Sequence, residues 1–397
     1  MEYNVNNFPL SPVPAQQPAR GGDYPKLWDE EALFKIPTVT PATDISFDFE
    51  IPEGIRPVYL EGLPHNGKAT RFFAWVGVPS SPDGKAVPGI VLVHGGGGTA
   101  FSLWAGEWYN RGYAVIAMDT VCHRPITPFE GTNCRVKLDG AGDVEMNLET
   151  DADTPMDNWV AYAVATVIKS HSYLRSLPGV DAEHIGITGI SWGGFLTNIT
   201  SAVDKRFKVA VPVYGCGYLG ESSETVKNAP RRWLDLFDPC MFLNSVSCAI
   251  LFVNSPKDHA YFWPQWLRSS MLPMHSQRSC RKDLHHSHES GRTKEVEITI
   301  DAYCKNTPAL PEILSESCAN GMLSADYRAF APVEKATIVW TADDSTVPNT
   351  DRKWQEDDAE LTETTARATI PAAARAAYLC IHDARGALVS TCGFGWE

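Results

Sequence analysis

The chain lacks most of what membrane, nucleic-acid and metal proteins require. No apolar run in its 397 residues approaches the roughly 18 needed to span a bilayer. The stretch from Met1 to Arg20 is polar and Pro-rich, without the apolar core of an export leader. Basic residues are few: 34 Lys plus Arg stand against 48 Asp plus Glu, a net charge of −14 that opposes duplex nucleic acid or anionic lipid as the main partner. The ten cysteines form neither CxxC pairs nor a dense framework, so reduced thiols and a cytoplasmic setting are expected, although a secreted form trimmed of its leader would read the same. Neither HExxH nor zinc-finger spacing occurs, so no metal site and no cofactor are expected.

What is present is a folding chain. Apolar residues are 44%, with 12 Trp, 13 Tyr and 16 Phe, enough to build a deep core and exclude wholesale disorder. Prolines 9, 12, 14, 18, 25 and 37 mark residues 1–45 as an arm rather than regular structure. From Ser46 to Val78, alternating stretches such as Ser46–Glu50 and Thr70–Val76 predict half-buried antiparallel strands. Gly89–Val93 then begins a different rhythm, with short continuous apolar strands separated by helical segments over residues 100–111, 158–177, 192–203 and 294–303. That alternation predicts a mostly parallel sheet with helices on both sides. Residues 46–328 are read as this α/β domain and 329–397 as a small all-β, sandwich-like domain, with a linker near Ser324–Pro332. The aperiodic stretch from Val121 to Pro155 is expected to be a lid or cleft wall.

Two motifs carry chemistry. Gly189-Ile190-Ser191-Trp192-Gly193 sits between a predicted strand and a predicted helix, and a turn that tight demands glycines beside a serine whose hydroxyl it lifts above the sheet edge. His94-Gly95-Gly96-Gly97-Gly98 ends an earlier strand. Its backbone N–H groups at Gly96 and Gly97, together with that of Trp192, could form an oxyanion hole. The loop matches neither the G-x-G-x-x-G nor the G-K-[ST] pattern of phosphate binders. His94 reads as an anchor for this loop.

Around Val93–Phe101 and Arg111–Asp119 the sequence resembles the α/β-hydrolase superfamily, and within it acetylxylan-esterase-like and prolyl-oligopeptidase-like serine hydrolases. It is similar to bacterial carbohydrate esterases with a C-terminal β domain. The resemblance implies a nucleophile, acid and base in that order along the chain. It places the acid at Asp258, with Asp283 as the fallback, and a base in His286-Ser287-His288, where relatives carry His-Gly-His. His288 is the expected base and His286 the alternative; Arg278, Arg281, Lys282 and His285 make this loop depart from the family pattern. His123, Tyr214, Tyr218, Tyr261 and Trp263 follow strand ends and are expected to bind substrate, whereas Cys216 reads as a buried packing residue. The expectation is a serine esterase acting on short acyl esters, acetyl above all, of a small molecule or oligosaccharide such as acetylated xylan; a prolyl-oligopeptidase-type peptidase is the alternative.

Overall fold

The computed structural model describes residues 24–395 apart from residues 132, 140, 143, 145, 149–153, 223–225, 227 and 228. Residues 1–23 of the expected arm lie outside the described residues. The chain opens with α1 (Glu30–Phe34), β1 (Val39–Pro41), β2 (Arg56–Glu61), β3 (Arg71–Gly77), β4 (Val87–Val93), α2 (Ser102–Asn110) and β5 (Ala114–Met118). A small ribbon, β6 (His123–Pro125) and β7 (Arg135–Lys137), precedes α3 (Trp159–Ser176), β8 (Val180–Ile190), α4 (Trp192–Val203) and β9 (Val209–Val213). Then come α5 (Leu219–Ser222), α6 (Arg231–Phe237), β10 (Ala249–Asn254), α7 (Trp263–Ser270), β11 (Ser276–Cys280) and α8 (Lys294–Lys305).

Nine of these strands form one sheet in the order β1-β2-β3-β5-β4-β8-β9-β10-β11. The three strands at the β1 edge are antiparallel, and the six from β5 to β11 run parallel. β4, β5 and β9 are buried along nearly their whole length, as expected of strands covered by helices on both faces. Register brings the functional ends together: Val93 lies opposite Gly189, Gly189 opposite Pro212, and Val213 opposite Val253. The loops after β4, β8, β9 and β10 therefore leave the same edge of the sheet, where ligands of open α/β sheets collect.

Residues 24–45 do more than drape. Asp29 caps α1, Leu33 is fully buried, and Trp28 donates from Nε1 to the Ala161 carbonyl of α3 at 2.9 Å. The predicted strand at Ser46–Glu50 does not form. Instead Phe47 and Phe49 pack on Trp75, with ring centroids 4.8 and 6.3 Å away; their alternation reflects ring burial rather than sheet pairing.

The second sheet has seven antiparallel strands in the order β12-β13-β16-β15-β14-β17-β18, where β12 is Glu312–Ala319, β13 Met322–Arg328, β14 Val333–Thr341, β15 Trp354–Leu361, β16 Thr365–Thr369, β17 Ala376–Asp383 and β18 Leu388–Ser390. It begins upstream of residue 329, and β13 occupies most of the expected linker. β12 and β15 present mostly exposed polar residues, so neither shows the apolar alternation that marks a strand. The two modules share one core. Trp263 of α7 is fully buried against Trp354 and Tyr378, with centroids 5.7 and 5.6 Å away. The buried Glu295 carboxylate accepts from Leu388 N at 2.9 Å and pairs with Arg281. All ten cysteines are unpaired. Among the described residues no helix is long and apolar enough to cross a membrane.

Candidate active site

Ser191 occupies the one-residue turn between β8 and α4 at φ 58°, ψ −118°, a conformation that costs a non-glycine residue about 1–3 kcal/mol. Surrounding contacts hold it there: its N–H donates to Val213 O and its carbonyl accepts from Phe195 N, both at 2.9 Å. The neighbouring glycines are required by space. A Cβ on Gly193 would lie 2.1 Å from Val93 O, and one on Gly189 2.3 Å from Gly193 O. The helix that starts at Trp192 turns its positive end toward this corner.

Ser191 Oγ lies 2.8 Å from His286 Nε2, and His286 Nδ1 lies 2.6 Å from Asp258 Oδ2. With Nδ1–H donating to the carboxylate, Nε2 is left to accept the serine proton. The Asp258 side chain is wholly buried, and its other oxygen accepts from the N–H groups of Ala260 and Tyr261 at 2.9 and 2.6 Å. Tyr214 stacks on the His286 ring, 4.4 Å away and 16° from parallel, and donates from its hydroxyl to Ser290 Oγ at 2.7 Å. Asn349, from the second module, donates to the Asp258 carbonyl at 3.1 Å.

The expected base, His288, is not at the nucleophile. It is buried beside the glycine loop, where Nε2 accepts from Gly95 N at 2.9 Å, while its Nδ1 is 3.2 Å from the Glu130 carboxylate. His286 takes the place assigned to His288. The order of residues along the loop could not separate them, because the distinction lies in which ring the glycine loop engages. Asp283 is exposed and paired with Lys257 and Lys282, while Asp258 is the carboxylate that meets the imidazole.

His94 is fully buried, which pushes its pKa down to about 4. The neutral ring fits its bonds: Nδ1 lies 2.8 Å from Gly95 O, and Nε2 accepts from Thr120 N at 3.0 Å. Burial likewise pushes the Cys216 thiol well up, leaving it an inert packing residue.

A cleft of about 500 Å³ opens over the serine. Gly96, Gly97, Ser191, Trp192, Tyr261 and His286 line it, as do Met146, Leu219, Val226, His259 and Ala260, which no sequence motif pointed to. Three expected substrate residues lie elsewhere. His123 sits in the β6–β7 ribbon with Nδ1 2.7 Å from Val121 O, Tyr218 is buried under Arg268, and Trp263 joins the core between modules. Tyr214 contributes through the back of the His286 ring. Asp258, His259 and His286 place potential ligand atoms within 4.8 Å of one another, but two of the three are already joined to each other and to Ser191.

The alpha/beta hydrolase family model matches residues 90–383, nearly three quarters of the chain. The chain belongs to the alpha/beta hydrolase family. Two similar curated proteins are the probable dipeptidyl-peptidase 5 of Aspergillus clavatus, 28% identical over 186 residues, and that of Emericella nidulans, 28% over 168. These alignments take in 44% and 40% of this chain but only 22% and 20% of those proteins. The chain thus spans about a fifth of their length. Among solved structures, the acetyl xylan esterase from Paenibacillus sp. R4 shares this hydrolase fold, with a TM-score of 0.52 at 18% identity, covering 69% of this chain and 92% of that one.

Proposed function

We propose that this hydrolase is a serine esterase that cleaves short acyl esters, acetyl in particular, from a carbohydrate such as acetylated xylan. The observation that carries the proposal is the unbroken hydrogen-bond line from Ser191 through His286 to Asp258, beside a glycine loop and under an open cleft. Ser191 Oγ attacks the ester carbonyl as His286 Nε2 takes its proton, and Asp258 holds the ring and stabilises the imidazolium. N–H groups of Gly96, Gly97 and Trp192 hold the oxyanion. His286 returns the proton to the leaving alkoxide; water, activated by the same ring, then releases the acid. No cofactor enters the cycle.

Support for an ester substrate comes from the cleft wall and from the fold. Trp192, half-buried in the cleft wall, offers an aromatic ring to a sugar, and the acetyl xylan esterase of like fold supports that substrate class. The dipeptidyl-peptidase matches support the peptidase alternative. Incubation with p-nitrophenyl acetate, acetylated xylan and an aminoacyl-nitroanilide, with and without a serine-directed phosphonate, separates the two. Turnover of both esters that the phosphonate abolishes is expected; turnover of the anilide alone would refute the proposal.

A further inference from the structure

Four consecutive glycines are a poor platform for holding charge unless something outside them fixes their shape. Each glycine loses more conformational freedom on ordering than any other residue, about 0.5–1 kcal/mol more than alanine, and none has a side chain to anchor itself. The loop from Gly95 to Gly98 is therefore held by its neighbours. His94 Nδ1–H reaches Gly95 O, Arg135 donates to Gly98 O at 2.6 Å, and Cys134 Sγ lies 3.3 Å from Gly97 O. All these anchors take carbonyls. On the N–H side, Gly98 N donates to Gly95 O at 3.1 Å within the loop, and the hold from outside is the bond from Gly95 N to His288 Nε2.

That bond defines the state of the ring. An imidazole nitrogen that accepts must be unprotonated, so the proton of His288 sits on Nδ1, facing Glu130 Oε1 at 3.2 Å. Glu130 also accepts from the backbone N–H of His288 at 2.9 Å, gripping the residue at two points. Burial pushes the pKa of His288 down, which keeps the ring a neutral acceptor. The fit is close enough to require glycine at Gly98 and adds to the backbone contact, Ile190 O at 2.8 Å, that requires it at Gly95. A Cβ on Gly98 would lie 2.8 Å from His288 Nε2, and one on Gly95 3.2 Å from the same atom. Phe101 meets the ring edge-on at 5.0 Å.

We infer that His288, oriented by Glu130, is a positioning residue for the oxyanion hole: by accepting from Gly95 N it sets the glycine loop in the shape that aims the next N–H groups at the developing oxyanion. The inference rests on the esterase reading. It gives one loop two tasks, with His286 serving the nucleophile and His288 the electrostatic side of the reaction. It also gives Glu130, Cys134 and Arg135, within the Val121–Pro155 stretch expected to be a lid or cleft wall, the task of bearing on the glycine loop directly or through His288.

The test compares His288→Phe, His288→Gln, Glu130→Ala and Ser191→Ala with the unaltered protein. Each is measured for kcat and KM on p-nitrophenyl acetate, for inhibition by phenylboronic acid, whose tetrahedral serine adduct uses the oxyanion hole, and for Tm. Removing an oxyanion donor outright costs roughly 10²- to 10³-fold, so misaiming the donors in His288→Phe is expected to lower kcat roughly 10- to 100-fold. KM should stay unchanged and boronate inhibition should weaken by a similar factor. His288→Gln, which restores an acceptor near Nε2, should recover most of both losses. Glu130→Ala should fall between. Wild-type kcat in His288→Phe, or a changed KM with constant kcat, overturns the inference. Should His288→Phe fail to fold, Glu130→Ala decides, because that side chain is 40% exposed and dispensable for packing; unchanged kcat and boronate affinity there overturn it. If Ser191→Ala retains full activity, it is the esterase reading that fails.

Discussion

His286 and His288, separated by a single serine, reach different halves of the same site. One ring lies 2.8 Å from the Ser191 hydroxyl; the other takes the N–H of Gly95 at 2.9 Å. The proton relay and the anion cradle therefore hang from one short loop, and the two histidines should fail differently when replaced. His286→Ala removes the base and is expected to cost roughly 10⁴-fold or more in kcat, the scale of triad removal, whereas His288→Ala should cost roughly 10- to 100-fold. Steady-state kinetics on p-nitrophenyl acetate decide it, and the opposite ranking would contradict the assignment.

Gly193 admits no side chain. Its Cβ would stand 2.1 Å from Val93 O, backbone that cannot move without displacing β4 and the glycine loop together. Gly193→Ala is expected to destabilise the fold by about 3 kcal/mol or more, at the upper end of overpacking costs. Chemical denaturation measures this; a variant of unchanged midpoint would show that the turn is looser than described.

His94 links stability to pH. In the unfolded chain its pKa is near 6.5, whereas burial lowers it to about 4 in the folded protein. Between those values the unfolded chain binds a proton that the folded chain refuses. The stability associated with neutral His94 is thus complete above pH 6.5 and is lost as pH falls toward 4, up to about 3 kcal/mol. The buried His171 and His288 are shifted in the same direction by burial. Tm should decline across this window and decline less steeply in His94→Asn; parallel curves for the two proteins would contradict the account.

Asn349 carries a load between modules. It donates to the Asp258 carbonyl at 3.1 Å and accepts from Arg352, which is itself buried. Asn349→Ala is expected to cost about 1 kcal/mol of stability, the usual net value of such a bond. It should also lower kcat several-fold by loosening the acid-bearing loop, at constant KM. A loss confined to stability would make the contact structural only.

The sequence exposed most of the parallel sheet because β4, β5, β9 and β10 are short, largely buried runs of apolar residues, whereas the edge strand β11, Ser276–Cys280, is polar and half-buried and carries no such signal. Ser191 was legible from the glycines its turn requires. Tertiary placement was not. His286-Ser287-His288 offers two similar rings, and only the approach of Gly95 to one of them distinguishes their tasks. β12 and β15 were hidden because exposed polar residues cover them, and Ser46–Glu50 imitated a strand because two phenylalanines alternate to reach Trp75. Met146, Leu219 and Val226 reach the cleft from distant segments that carry no motif.

Ser191 is expected to become transiently acylated during turnover. Rapid mixing with p-nitrophenyl acetate, quenching in acid and mass analysis of the peptides measures this directly. An acetyl group is expected on the peptide bearing Ser191, absent from Ser191→Ala and from His286→Ala. Turnover of the ester with no acetyl on that peptide, or with acetyl on another residue, would contradict it.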